Sequence, residues 1–190
     1  MPKALPTGVA AQLKRAVFKK ADLHGYALKG RVENGRFMDD LVNDPEIGGI
    51  IGEYVAADKV RVYIKDGILN AYTKRKAEQV LRGHDPVQVI RSTFGAGEVA
   101  IVENKGEIVV GRSSDGRFFI VGRGTVLKWE SALRKVLEYI ARLKRNHVDE
   151  NYPSICLQLA VINYGITEGD KNQITRALMA VGVKVYFCSS

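Results

Sequence analysis

The chain has 190 residues, of which 46% are hydrophobic and 26% charged, and a formal net charge of +8. These values exclude a disordered or disulfide-scaffolded chain and fit a globular domain large enough to bury a core without structural metal. The N-terminal stretch MPKALPTGVAAQLKRAVFKK has no long apolar core, so neither a secretory leader nor a spanning helix is expected, and the expected setting is cytoplasmic with no membrane contact.

The first predicted element is an amphipathic helix over residues 7–22. Thr7 stands at its capping position, and Val9, Leu13, Ala16 and Val17 lie on one face. Lys14, Arg15, Lys19 and Lys20 decorate the remainder. The stretch HGYALKGRVENGR reads as a loop, with Asn34-Gly35 as a turn signal. Asp44-Pro45-Glu46 then opens a second helix, with a capping acid followed by proline at the first helical position. Ile47, Ile50, Ile51, Tyr54 and Val55 supply its apolar stripe, and Gly48, Gly49 and Gly52 either weaken the helix or permit close packing or a bend.

A third helix is expected from Lys59 to Arg82, with Asp58 as cap and Gly83 as terminator. Val60, Ile64, Ile68 and Tyr72 repeat every four residues along it. Beyond Tyr72 it carries Lys74-Arg75-Lys76 and reads as exposed. The character changes at His84-Asp85-Pro86, which marks the expected boundary between a helical segment 1–83 and a mixed segment 84–190, the two forming one compact domain.

Short β-rich runs follow: VQVIRS, EVAIVEN, EIVVGR and RFFIVGR. Lys105-Gly106 and Asp115-Gly116 fall between them as turn signals, so the last three runs form an antiparallel meander. Residues 127–145 form a helix with Trp129, Leu133, Val136, Leu137, Ile140 and Leu143 as the buried stripe. NHVDENYPS is a loop. SICLQLAVINYG is nearly continuous apolar, as a strand covered on both faces must be. A helix over 168–181, with Ile174, Ala177, Leu178 and Val181 inward, leads through Gly182 to the last strand, VKVYFC. This strand–helix–strand end implies two parallel strands. The fold class is therefore α/β of the α+β kind. Cys156 and Cys188 fall in apolar strands and read as buried thiols. The three histidines, His24, His84 and His147, have no metal-ligand spacing and read as loop residues.

The charge is segmented. Residues 1–36 hold eight bases and two acids (+6), residues 37–58 six acids and no base (−6), residues 59–82 seven bases and two acids (+5), and the rest fourteen against eleven (+3). Two basic segments flanking an acidic one point to a polyanion, with DNA or RNA the commonest. Lys74, Arg75 and Lys76 beside Tyr72, together with the Arg142/Lys144/Arg145 cluster, are candidate phosphate contacts. Arg112, Arg117 and Arg123 follow the meander strands and would form a stripe if they shared a face, with Phe118 or Phe119 available for stacking.

No phosphate loop, dinucleotide fingerprint or serine-nucleophile elbow is present. The order helix, β-meander, long helix, strand resembles the αβββαβ core of the PD-(D/E)xK nuclease superfamily, over roughly residues 59–163. That resemblance implies an acid opening one strand and an acid-x-Lys triplet on the next. The acids would hold Mg²⁺, and the lysine would help activate the attacking water. Glu98 opens a strand, and Glu103-Asn104-Lys105 satisfies Glu-x-Lys in letters. Glu98 and Glu103 share one strand, however, while Lys105 falls in a turn, and the strands that should hold the triplet end in Gly-Arg. The expected catalytic set is Glu98, Glu107 and Lys105. Glu98 and Glu107 would be the metal ligands, supplemented by a helical acid such as Glu53 or Asp66. The competing expectation is a non-catalytic protein–protein module, a homodimer or a subunit of a larger complex, with the acidic segment 37–58 as docking surface.

Overall fold

A computed structural model describes residues 5–146, 153–162 and 166–189. The predicted loop around His147 and the Asn163–Gly165 end of the SICLQLAVINYG run lie outside the described residues, as do the side chains of Lys144 and Arg145. The chain divides into two compact units, one formed by the described residues up to Lys76 and the other by those from Ala77 onward.

The N-terminal unit is helical. Helix α1 (Thr7–His24) starts after Pro6, so Thr7 is its first residue and not its cap. It stops at Gly25, whose positive φ of 72° lets its N–H reach the Ala21 and Asp22 carbonyls. The expected loop at Asn34-Gly35 is instead inside α2 (Arg31–Asn43). The Asn34 side chain explains the exception: its amide donates to the Tyr26 and Lys29 carbonyls, each at 3.0 Å, and so holds the preceding loop in place. Asp44 caps the next element as expected, accepting from Glu46 N at 2.8 Å with Pro45 at the first position. The turn that follows (Pro45–Gly49) is of the wide π type and leads into α3 (Ile50–Gly52). Here Gly48 has a packing role, because any Cβ on it would overlap the Val42 carbonyl.

Helix α4 (Ala57–Val62) takes Asp58 into its first turn, continues through a π-type stretch (Tyr63–Leu69) and becomes α5 (Asn70–Arg82). The wide turn accounts for the apolar period of four. Val60, Ile64, Ile68 and Tyr72 would drift round a regular helix, yet all are buried on one face. Leu13, Val17, Leu41, Ile47 and Ile51 complete this unit's core. The end of α5 is not the exposed arm its charges suggest. Ala77 and Leu81 are buried against Ala160, Ile162 and Cys188. That packing places the division between units inside the helix, ahead of the composition change at residue 84.

The C-terminal unit is a sheet between helices. VQVIRS is not a strand: residues Pro86–Phe94 form α6, capped by Asp85 accepting from Val87 N at 3.1 Å. The strands are β1 (Val99–Asn104), β2 (Ile108–Ser113), β3 (Phe118–Thr125), β4 (Ser154–Ala160) and β5 (Val183–Cys188), in the order β1-β2-β3-β4-β5. The first three form the expected antiparallel meander, and β3, β4 and β5 are parallel. Between them run α7 (Trp129–Asn146) and α8 (Glu168–Met179), as parallel crossovers require. Edge strand β1 slips register between Ile101 and Glu103, a bulge of the kind that blunts an open edge.

One sheet face packs Val109, Phe119 and Val121 under α6, and the other packs Ile120, Leu157 and Leu159 under α7 and α8. Gly122 and Gly124 let α7 approach closely, since a Cβ at Gly124 would lie 3.0 Å from Ala132 Cβ. Two of the predicted inward stripes are trimmed. Leu137 and Leu143 on α7 are exposed, while Val136 is buried as expected and Ala132 is buried beside it, and on α8 Ala177 is exposed, as is Val181 just beyond its end. Cys156 and Cys188 are buried free thiols. Their strands are neighbours, but Cys156 sits opposite Lys184 and Cys188 opposite Ala160, too far along the strands for a disulfide. Among the described residues no helix is long and apolar enough to cross a membrane.

Candidate nucleic-acid interface

In the N-terminal unit α1 and α5 build a cationic face around one aromatic ring. Lys14 and Phe18 are one helical turn apart on α1, which puts them side by side. The Lys14 ammonium lies 5.5 Å from the Phe18 ring centre, and the Arg75 guanidinium from α5 lies 5.8 Å from the same ring. Phe18 is half-buried, edge-on to the buried Tyr72 ring at 5.3 Å. Among the described residues neither Lys14 nor Arg75 is in an ion pair. Lys74, Arg15 and Lys19 are exposed in the same unit, while Lys20 is paired with Asp44.

The two helices are tied by a small polar network. Lys76 bridges to Asp22 at 2.6 Å, and the Tyr72 hydroxyl donates to the same carboxylate at 2.9 Å. The Lys76 hydrogen bond, helped by Tyr72 and by the charge of Arg75, holds the Asp22 carboxyl below its ordinary value against the opposing effect of burial. Burial, and then the bond to Asp22, pushes the Tyr72 hydroxyl well up. Of the three predicted basic residues of α5, Lys76 is thus structural, whereas Lys74 and Arg75 are presented outward. The predicted acidic surface is partly consumed inside the unit, because Asp39 pairs with Arg61 and Asp44 with Lys20.

In the C-terminal unit the predicted acids do not converge. Glu98 precedes β1, and its carbonyl accepts from Ser114 N at 3.1 Å, while Glu107 sits in the turn before β2. They therefore occupy opposite ends of one hairpin, about 20 Å apart at the usual rise per residue, and one ion cannot bind both. Glu107 is paired with Lys135 of α7 at 2.6 Å. Lys105 is paired with Glu103, which also accepts from the Tyr139 hydroxyl. Burial and that carboxylate push the Tyr139 hydroxyl up to about 12. Glu53 and Asp66 belong to the N-terminal unit. Among the described residues no three His, Cys, Asp or Glu side chains form a metal cage.

The three meander arginines do not line up. Arg112 is exposed and stacks on its cross-strand partner Phe118 at 4.9 Å. Arg117 lies in the β2–β3 turn, paired with Asp115 at 2.8 Å. Arg123 projects from the opposite face to Arg112, because alternation along β2 and β3 puts Arg112 with Phe118 and Arg123 with Phe119 and Val121. Arg142 is exposed on α7, away from all three in sequence and element. What the fold does assemble is a shallow cleft of about 480 Å³ at the open end of the hairpin, lined by Arg91, Glu98, Arg112, Ser113 and Ser114. Arg91 reaches it from α6, held by donating its Nε–H to the Gly97 carbonyl at 2.9 Å. The strand-like pattern of VQVIRS conceals Arg91 in the sequence, since the segment is helical.

No family model matches this chain, and no curated protein or solved structure is significantly similar to it.

Proposed function

We propose that this protein binds nucleic acid through the α1–α5 face of its N-terminal unit. The observation that carries the reading is Phe18 with two cations, Lys14 and Arg75, within 5.8 Å of its ring centre and neither in an ion pair among the described residues. Two cations so close to the centre of a half-buried ring suit a nucleic-acid strand, whose phosphates meet the charges while a base meets the accessible part of the ring. The net charge of +8 favours the encounter at long range. A meander followed by a helix and a parallel strand is also common ground with the nuclease core, which supports a nucleic-acid partner. The strand ends carry Gly111-Arg112 and Gly122-Arg123 where cleavage needs acids, so the proposal is binding without cutting.

The test is fluorescence anisotropy with single- and double-stranded DNA and RNA over a range of salt. Affinity should fall as salt rises, and the double substitution Lys14→Ala/Arg75→Ala should reduce the log–log salt slope by about 2, one for each phosphate no longer neutralised. Affinity that is flat with salt, or a slope unchanged in the double variant, overturns the reading. Adding Mg²⁺ to the same reactions tests cleavage directly. A second reading, a protein–protein module, is favoured by the exposed Leu23, Leu28 and Val32 of the same unit. It predicts stoichiometric co-purification with another chain and no nucleic-acid affinity.

A further inference from the structure

The register of the parallel strands sets Arg123, Gln158 and Tyr186 side by side in one row on the sheet face covered by α6 and the end of α5. Gln158 is fully buried. Its Nε2 donates to the His84 carbonyl at 2.9 Å, which fixes which end of the amide is oxygen. Among the described residues Gln158 Oε1 is then left buried with no hydrogen-bond partner. The neighbouring Arg123 is in a similar position. One Nη donates to the Leu81 carbonyl at 2.6 Å, but its Nε–H is buried and unpartnered.

Among the described residues no carboxylate forms an ion pair with Arg123. Burial draws its guanidinium below the ordinary value, and the like charge of Arg82 adds to that; the thiol of Cys188 acts in the opposite sense. A partly buried cation without a counter-ion is costly, and folded proteins normally supply one. Here the row lies in the carboxyl half of β3, β4 and β5, the half from which open α/β sheets take ligands, and Arg123 keeps enough exposure to be reached.

The two unpartnered atoms have opposite needs: Arg123 Nε–H requires an acceptor, and Gln158 Oε1 requires a donor. A water molecule would meet both hydrogen bonds and leave the charge uncompensated. A fully deprotonated oxyanion would compensate the charge and be repelled by Oε1. An oxyanion that keeps one hydroxyl meets all three requirements. We propose that the Arg123–Gln158 row is a binding site for a phosphate group that retains a P–OH, with its anionic oxygens on Arg123 and its hydroxyl donating to Gln158 Oε1. Hydrogen phosphate has that hydroxyl at neutral pH and sulfate does not. A terminal phosphate monoester has it only as the monoanion, below its second pKa of about 6. The site is independent of the nucleic-acid reading of the N-terminal unit.

The experiment titrates the full chain with sodium phosphate and, at matched ionic strength, with sodium sulfate, read by calorimetry and by the NMR signal of the Arg123 Nε–H. Saturable phosphate binding is expected, with sulfate weaker by about tenfold or more, the cost of facing a buried acceptor with no donor. Arg123→Gln should abolish the response. Gln158→Leu should bring the phosphate-to-sulfate ratio close to one. A 5′-mononucleotide and its nucleoside, compared at mildly acidic pH, distinguish free phosphate from a terminal phosphate group; binding of either phosphate form supports the site. Should a variant fail to fold, the shift of the Arg123 Nε–H in the unmodified protein decides the question. Equal response to both anions, a response that survives Arg123→Gln, or an unmoved Nε–H signal overturns the proposal. The double variant Lys14→Ala/Arg75→Ala should bind phosphate normally, so failure of the nucleic-acid reading and failure of this one are seen separately.

Discussion

The two units handle positive charge in opposite ways. The helical unit keeps its cations at the surface, and it pairs several of them, as in Lys20–Asp44, Arg61–Asp39 and Lys76–Asp22. The α/β unit carries Arg123 on a sheet face under helices, in no ion pair among the described residues. Surface cations cost little to leave unpaired because water solvates them, so their presence says only that a polyanion would be attracted. A guanidinium drawn into a covered sheet face has lost much of that solvation, and its lack of a counter-ion among the described residues says more about a specific ligand. The contrast teaches that the number of charges points to a class of partner, whereas the burial of one charge points to a site.

The sharpest way to test the division into units is to overpack each one. Gly48→Ala drives a Cβ into the backbone carbonyl of Val42, which cannot rotate away. The expected loss is about 3 kcal/mol or more, with hydrogen-exchange protection falling first in residues before Lys76. Gly122→Ala overlaps only side chains, those of Val136 and Leu157, the latter at 2.9 Å, while the Ala132 carbonyl at 3.5 Å stays at ordinary contact distance. These can give way in part, so about 2 kcal/mol is expected, with protection lost first in the sheet. Equal losses of protection throughout the chain in both variants would show that the two units open as one.

A smaller effect belongs to the network that joins α1 to α5. Tyr72→Phe removes the hydroxyl bond to Asp22 and should cost about 1 kcal/mol. Its pH dependence follows from the carboxylates. Asp22 and Asp44 both have folded values below their ordinary 3.8, chiefly through hydrogen bonds from Lys76 and Lys20 respectively. A depressed acid stabilises the fold above its unfolded value, and that contribution is lost as pH falls through the folded one. Stability of the N-terminal unit should therefore decline below about pH 4, and Lys76→Met should flatten the Asp22 part of that decline. The Asp22 side chain is 52% exposed, so solvent keeps this part to about 1 kcal/mol or less. An unfolding midpoint that does not change between pH 5 and pH 3 would remove the network from the account.

Much of this architecture is legible in the residues. The meander, the parallel end and Gly182 follow from alternation, apolar continuity and turn chemistry. The errors have identifiable causes. Asp44-Pro45 and Asp85-Pro86 carry the same helix-start chemistry, yet only the first reads as a helix, because Val87, Val89 and Ile90 mimic a strand. Asn34-Gly35 is a turn signal only until the Asn34 amide finds two carbonyls to hold. The period of four in Val60–Tyr72 does carry the π-type turn, for a regular helix cannot keep that spacing on one face. The candidate sites are less legible. Lys14 beside Phe18 follows from helical spacing, but Arg75 joins them only through the packing of α5 on α1. Gln158 is one polar letter in the apolar run SICLQLAVI, and its meaning depends on the β3–β4 register that places it beside Arg123.

The smallest expected effect separates a structural carboxylate from a metal ligand. Glu107 in the hairpin turn is held by Lys135 of α7, the carboxylate being largely solvent-exposed and the lysine partly so, so Glu107→Ala should cost about 0.5 kcal/mol and lose that effect in high salt. Lys135→Ala should cost the same, and the double variant no more than either alone, since the two side chains share one interaction. Were Glu107 a ligand, removing Lys135 would relieve its competitor, and Mg²⁺ would then raise the unfolding midpoint of Lys135→Ala while leaving Glu107→Ala unmoved. The position of Glu98 at the other end of the hairpin predicts no such difference, because a lone surface carboxylate holds Mg²⁺ too weakly to shift a folding equilibrium.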